Sequence, residues 1–261
     1  MSNKNVANRE VCNAIFRDYA TKKPLLYVDY ANTTTTEVTG ESVFAYGGMG
    51  HPKRVTFNGE RGGTIAFEFQ VHPFQLFSIM SGAEIQKSAN FYKREVVEAV
   101  EDSGTVSLYL KEEPITVDAI NVFAYADDCG EALKGTIVKG TTKTTTVDGV
   151  EVKQFPISGL TGLAKGTKYV VYYETQATGA VEKINITGKT FPNALIIDAD
   201  TIYKAEDDSE IPMYLHVYKC QPQSQFTLTH SNSGDPGTLT LTCDLMEDEN
   251  GDMLDLIAIE E

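Results

Sequence analysis

The segment GTLTLTCDLM, Gly237 to Met246, alternates without interruption. Leu239, Leu241, Cys243 and Leu245 fall on one side, while Thr238, Thr240, Thr242 and Asp244 fall on the other. A period of two cannot form a helical stripe, whose positions recur every 3.6 residues, so the segment is committed to a strand with one core face and one wet face. Upstream, Phe226 and Leu228 supply matching apolar positions. The intervening Ser-, Asn-, Gly- and Pro-rich stretch, with Gly234, Pro236 and Gly237, predicts a hairpin over Phe226–Met246. KRVTFNGERGGTIAFEFQV has the same design. Ile65, Phe67, Phe69 and Val71 are expected inward and Thr64, Glu68 and Gln70 outward, and Asn58-Gly59 with Gly62-Gly63 predicts a turn that makes Lys53–Val71 a second hairpin.

Further strands are expected at PLLYVDYANTTTT and EVTGESVFAY, the latter running into the Gly-rich loop YGGMGHP. HPFQLFSIMSG predicts one short helix, with Pro73 at its first position, Phe74, Phe77 and Met80 near helical spacing, and Gly82 at its end. EVVEAV and TVSLYL predict a hairpin about Asp102-Ser103-Gly104. From Pro114 to Thr187 strands continue, and ISGLTGLAKGTKYVVYYET suggests an immunoglobulin-like or fibronectin-like elaboration. No flexible linker marks a boundary, so residues 1–261 are expected to form one domain, with 112–187 as a β-rich elaboration within it. The final segment is expected to turn at Asn250-Gly251 and end in an apolar strand from Met253 to Ile259. The predicted class is mainly β, two packed antiparallel sheets with one short α-helix and an inserted β region.

A chain of 261 residues buries roughly 70–75% of its unfolded surface on folding and needs no disulfide staple. Cys12, Cys129, Cys220 and Cys243 lie far apart with no CxxC pair, which predicts reduced, partly buried thiols rather than zinc or redox chemistry. Lys plus Arg number 22 against 37 Asp plus Glu, a formal charge of −15 that repels nucleic acid and anionic membranes. Such a surface suits a protein that touches DNA without holding it. No signal peptide or run of eighteen apolar residues is present, so the chain is expected to be unexported and not membrane-bound. The sequons at Asn32 and Asn185 are discounted accordingly.

Catalysis requires a convergent nucleophile, base or metal set, and none converges in sequence. His51, His72, His216 and His230 are scattered. Gly40-Glu41-Ser42-Val43-Phe44 begins like a nucleophile elbow but lacks the closing glycine. Gly47-Gly48-Met49-Gly50 has the glycines of a phosphate loop without its Lys-Ser/Thr, and leads to Pro52 and a strand. Asp248-Glu249-Asn250-Gly251-Asp252 fails the spacing of a calcium loop. No enzyme activity, cofactor or metal is expected.

The order of KPLLYVDYA, YGGMGHPKRVTFNGERGGTIAFEFQV, HPFQLFSIMSG, YVVYYETQ and the stretch from ITGKTFPNALIIDADTIYKAEDD to TLTLTCDLM resembles the bacteriophage tail tube, or major tail protein, family. The resemblance is strongest over Pro24–Gly82 and Lys168–Ile259, and its most specific parts are KTFP at Lys189–Pro192 and the turn at Gly234–Pro236. It implies a virion structural protein, assembled in the bacterial host cytoplasm, that forms six-membered rings stacked end to end. Its partners would be itself, tail sheath, tape measure and baseplate proteins, with DNA passing transiently and unbound. Under that resemblance the lumen candidates are Glu68, Gln70, Thr240, Thr242 and Asp244, and Gly47, Gly48, Met49 and Gly50 form the candidate ring-stacking loop. The competing class is a capsid-decorating or adhesin-like β protein, with an enzyme on a β scaffold ranked last.

Overall fold

The computed structural model describes residues 5–147, 150–230, 232, 234 and 236–259. In chain order the elements are β1 (Val6–Asn8), β2 (Asn13–Asp18), β3 (Pro24–Val28), β4 (Ala31–Tyr46), β5 (Lys53–Phe69), α1 (Phe74–Ser81), β6 (Ile85–Glu98), β7 (Val100–Asp102) and β8 (Thr105–Leu110). They continue as β9 (Asn121–Ala124), β10 (Gly135–Lys139), β11 (Lys143–Val147), β12 (Val150–Leu160), β13 (Lys168–Ile184), β14 (Leu195–Ala205), β15 (Glu210–Pro222), β16 (Leu239–Leu245) and β17 (Leu254–Ala258). The fold is mainly β with one α-helix and several antiparallel sheets, as the period-two patterns predict. The chain divides into two compact units, Met1–Ile85 with Ile184–Glu261, and Gln86–Lys183.

Unit one is built on a nine-stranded sheet in the order β3-β2-β14-β15-β16-β5-β4, with β1 added to β14 and β17 added to β15. Three strands separate β2 from β5 in this order, so a flat sheet would hold them about 19 Å apart. Yet the rings of Phe16 on β2 and Phe67 on β5 meet edge to face at 5.3 Å. The sheet is therefore rolled around its own apolar face. Ala14, Phe16, Ile65, Phe67, Phe69, Ile197, Val217, Leu241 and Cys243 fill the roll. The alternation of β16 holds as expected: Leu239, Leu241, Cys243 and Leu245 are buried, and the intervening residues are not.

Helix α1 adds Leu76, Ile79 and Met80 to this core. Pro73 precedes the helix in an extended conformation rather than occupying its first turn, and Gly82 ends it at φ 69° with its N–H donating to Ser78 O at 2.9 Å. A Cβ at Gly82 would strike the Phe191 carbonyl and Pro192 nitrogen, so the helix end and the KTFP stretch pack backbone to backbone, a closeness only glycine permits.

Three expectations in unit one are corrected. Lys53–Val71 is not a hairpin: β5 runs as one strand to Phe69 and pairs along its length with β4, from Ala31↔Phe69 to Tyr46↔Lys53. Gly59, Gly62 and Gly63 do not turn the chain, and none has a positive φ. Gly63 instead lets β4 approach, since a Cβ there would strike the Glu37 carbonyl. Val71 lies past the strand and is exposed rather than inward. Finally, Phe226–His230 does not form a strand opposite β16; β16 pairs with β15 and β5. Phe226 still packs at the core, its ring 6.4 Å from Phe77. Ser231, Ser233 and Asp235 of the expected turn lie outside the described residues.

Unit two pairs a three-stranded sheet, β6-β13-β9, with a five-stranded one ordered β10-β12-β8-β7, to which β11 is added through β12. Val97, Leu108, Leu110, Val122, Ile157, Val171 and Tyr173 form its core. The predicted turn between β7 and β8 is present, Asp102 pairing with Thr105 while Ser103 and Gly104 take φ 52° and 82°, the two positive values a type I′ turn needs. Tyr169 accepts the Ala164 N–H and donates to the Gly162 carbonyl, both at 2.9 Å, pinning the preceding loop as a tyrosine corner does in immunoglobulin-like sandwiches. Buried Glu95 accepts the Tyr173 hydroxyl at 2.8 Å and the Lys111 N–H at 3.2 Å.

Candidate functional site: a projecting arm and a polar sheet face

Strands β4 and β5 are much longer than the core they serve. Their roots, Ala31–Thr36 and Ile65–Phe69, sit over the apolar face through Ala31, Ile65, Phe67 and Phe69. Beyond Gly63, among the described residues, no further strand pairs with the two. Residues 37–43 on β4 and 53–61 on β5 are exposed throughout. From Val38 to Tyr46 an extended chain spans about 26 Å. A two-stranded ribbon of this kind is at best marginally stable in water, and each of its edges leaves backbone donors and acceptors open to another strand.

The ribbon carries a mixed apolar face. Val43 pairs with Phe57 and Ala45 with Val55, placing these four side chains together. Val43 is 64% exposed and Phe57 58% exposed. Lys53 covers the neighbouring Phe44 ring, its ammonium 3.6 Å from the ring centroid. Gly47, Gly48, Met49 and Gly50, expected to form a loop, lie at the ribbon's tip, where His51 N donates to Gly48 O at 3.2 Å and Arg54 Nε donates to Gly47 O at 3.3 Å. Gly48 and Gly50 have φ 88° and 87°, which an L side chain resists, and Met49 between them is fully exposed.

Four of the five residues singled out for a polar wall lie together on the sheet. Thr240 pairs with Glu68, which pairs with Thr33; Thr242 pairs with Ala66, then Thr35; Asp244 pairs with Thr64, then Glu37. These rungs stand on the face opposite Leu241, Phe67 and Ile65, so β16, β5 and β4 present one continuous hydroxyl and carboxylate surface. Asp244 accepts Gln223 Nε2 at 2.8 Å. Gln70 lies in a bend just past β5, outside the paired rungs.

Sequence reasoning placed the glycine loop and the polar wall but missed Val43, Val55 and Phe57. For Val43 the signal was present in TTTTEVTGESVFAY, a Thr- and Val-rich run with no proline that is longer than a core strand needs. His216 Nδ1 lies 2.6 Å from Asp198 Oδ1, while Arg17 Nε lies 2.6 Å from Asp198 Oδ2. This is a cross-strand charge cluster on β2, β14 and β15. Among the described residues no three His, Cys, Asp or Glu side chains gather as a metal site. No helix among them is long and apolar enough to cross a membrane.

The model of the YomU/Tube protein family matches residues 9–256. None of the curated proteins matches the chain.

Proposed function

We propose, because the chain belongs to the YomU/Tube protein family, that it is the subunit of a bacteriophage tail tube, assembling in the host cytoplasm into six-membered rings stacked end to end. The observation that carries this reading is the arm formed by β4 and β5: a ribbon about 26 Å long, open on both edges among the described residues and apolar on part of one face, has no use in an isolated monomer. Copies of the chain complete it. In a ring, strands of neighbouring subunits join edge to edge around the lumen and remove the open edges, as closure does in any barrel. The loop Gly47–Gly50 at the tip reaches the adjacent ring.

The face of Glu68, Thr240, Thr242 and Asp244 lines the conduit, with Gln70 at its margin. Carboxylates there repel DNA phosphates over roughly 8–10 Å near physiological salt, so DNA slides through during ejection without being held. The chain's charge of −15 suits that passage. In the virion such a tube meets itself, a tape measure protein, a baseplate and, in a contractile tail, a sheath. No cofactor is required. Unit two is an immunoglobulin-like elaboration of the tube subunit.

Deleting Gly47–Gly50 tests the assignment of the tip: electron micrographs are expected to show single rings without tubes. Long tubes from that variant would remove the loop from ring stacking.

A further inference from the structure

Two exposed surfaces of unit one have complementary chemistry. The first lies beside β17. This strand is hydrogen-bonded along one edge, to β15 from Met213↔Ala258 to Val217↔Leu254, and among the described residues no strand pairs with its other edge. Leu254 and Leu256 border a groove of about 560 Å³ with Val38, buried Leu245, Arg61 and the exposed carboxylates Glu247 and Asp252. The core's apolar surface therefore continues past its covered part, and Leu256 is 67% exposed. From Asp244 to Glu261 the sequence contains no Lys or Arg.

The second surface is the arm tip. From Tyr46 to Phe57 there is no Asp or Glu, while Lys53 and Arg54 have no carboxylate within ion-pair distance among the described residues. Tyr46, Met49, Val55 and Phe57 are exposed beside them. An apolar, cationic tip thus faces an apolar groove in which the two carboxylates Glu247 and Asp252 outnumber the one guanidinium, Arg61. The two cannot meet within one copy. Val38 at the groove lies just past the arm's root, and Tyr46 lies about 26 Å farther along the same extended ribbon, so folding back would break the β4–β5 pairing.

We propose that the tip Tyr46–Phe57 of one copy seats in the β17 groove of another, with Val55 and Phe57 against Leu254 and Leu256, and Lys53 and Arg54 facing Glu247 and Asp252. The proposal rests on the tube reading and names the receiving surface for its stacking loop. Tip and groove are different patches of the same chain, so the contact is head to tail and repeats without closing along the stacking direction, the geometry of a filament. Opposite charges guide the encounter, and reversing one side places like charges in contact.

The test uses the full chain. The double variant Lys53→Glu/Arg54→Glu is expected to need at least about tenfold more protein to polymerise at physiological salt. Adding Glu247→Lys/Asp252→Lys to it restores polymerisation. In a Cys129→Ser background, a Met49→Cys copy mixed with an Asp252→Cys copy gives a disulfide-linked dimer on oxidation of the tubes, absent with either copy alone. If wild-type protein forms tubes but the tip reversal polymerises normally, or the mixed cross-link fails to form, the docking is overturned and the tube reading stands. If wild-type protein never polymerises, both fall.

Discussion

At the scale of single residues, the fold depends on a few close approaches and one buried polar pair. Gly63 is a strand glycine retained for backbone proximity, and Gly63→Ala is expected to destabilise unit one by about 1–3 kcal/mol because the added methyl must push β4 from β5. A lowered thermal midpoint with retained β circular dichroism checks it. In unit two, burial and the Glu95 carboxylate raise the Tyr173 phenol well above its ordinary range. The native state therefore keeps a proton that the unfolded chain releases above about pH 10. The pair's contribution to stability is full below that pH and declines as pH rises through and beyond it. Tyr173→Phe is expected to cost about 1–3 kcal/mol at pH 7 by leaving Glu95 short of a donor, and to show a smaller loss between pH 7 and pH 10.5 than the wild type in urea titrations. The burial side of this pair is hidden in the sequence: Glu95 in EVVEAV looks like any wet strand position, and only the packed structure shows that it is enclosed beside Tyr173 of the neighbouring strand β13.

At the scale of elements, the sequence was legible wherever period two met a covered face. β16 alternates as its letters do, and the helix Phe74–Ser81 stops at the glycine placed to stop it. Legibility failed where glycine had two uses. Asn58-Gly59 and Gly62-Gly63 carry the letters of a hairpin turn, but the pairing of β5 with β4 decided their conformation, and that partner is set by tertiary structure rather than by neighbours in sequence. Phe226–Leu228 failed for another reason: alternation made it resemble a strand, but β15 takes the β16 edge only at Cys243–Leu245, and Phe226 packs against Phe77 at the core instead of extending that pairing. The true long hairpin turns at Gly47–Pro52, a loop the sequence identified without showing how far it projects. Because the arm's apolar face lies beyond the core, Val43→Glu with Phe57→Glu is expected to leave a folded subunit, with native circular dichroism, that no longer forms tubes. A variant that polymerises normally would show that this face stays wet in the assembly.

At the scale of the whole molecule, charge and edges act together. In the proposed tube, the negative charge limits indiscriminate association, while the open two-stranded ribbon would give identical copies a specific place to pair. The polar wall on β16, β5 and β4 was legible as alternation, but its continuity across three strands came from register alone: Thr240, Glu68 and Thr33 are distant in sequence and adjacent in the sheet. Reversing Glu68 and Asp244 to Lys is expected to leave rings intact and to slow genome ejection; an unchanged ejection rate would remove both residues from the lumen. Electron cryo-microscopy of the concentrated, purified chain tests the central claim most directly. The account predicts hollow tubes of six-fold rings in which the β4–β5 arms contact neighbouring copies, whereas a population of monomers or closed trimers at every concentration examined would contradict it.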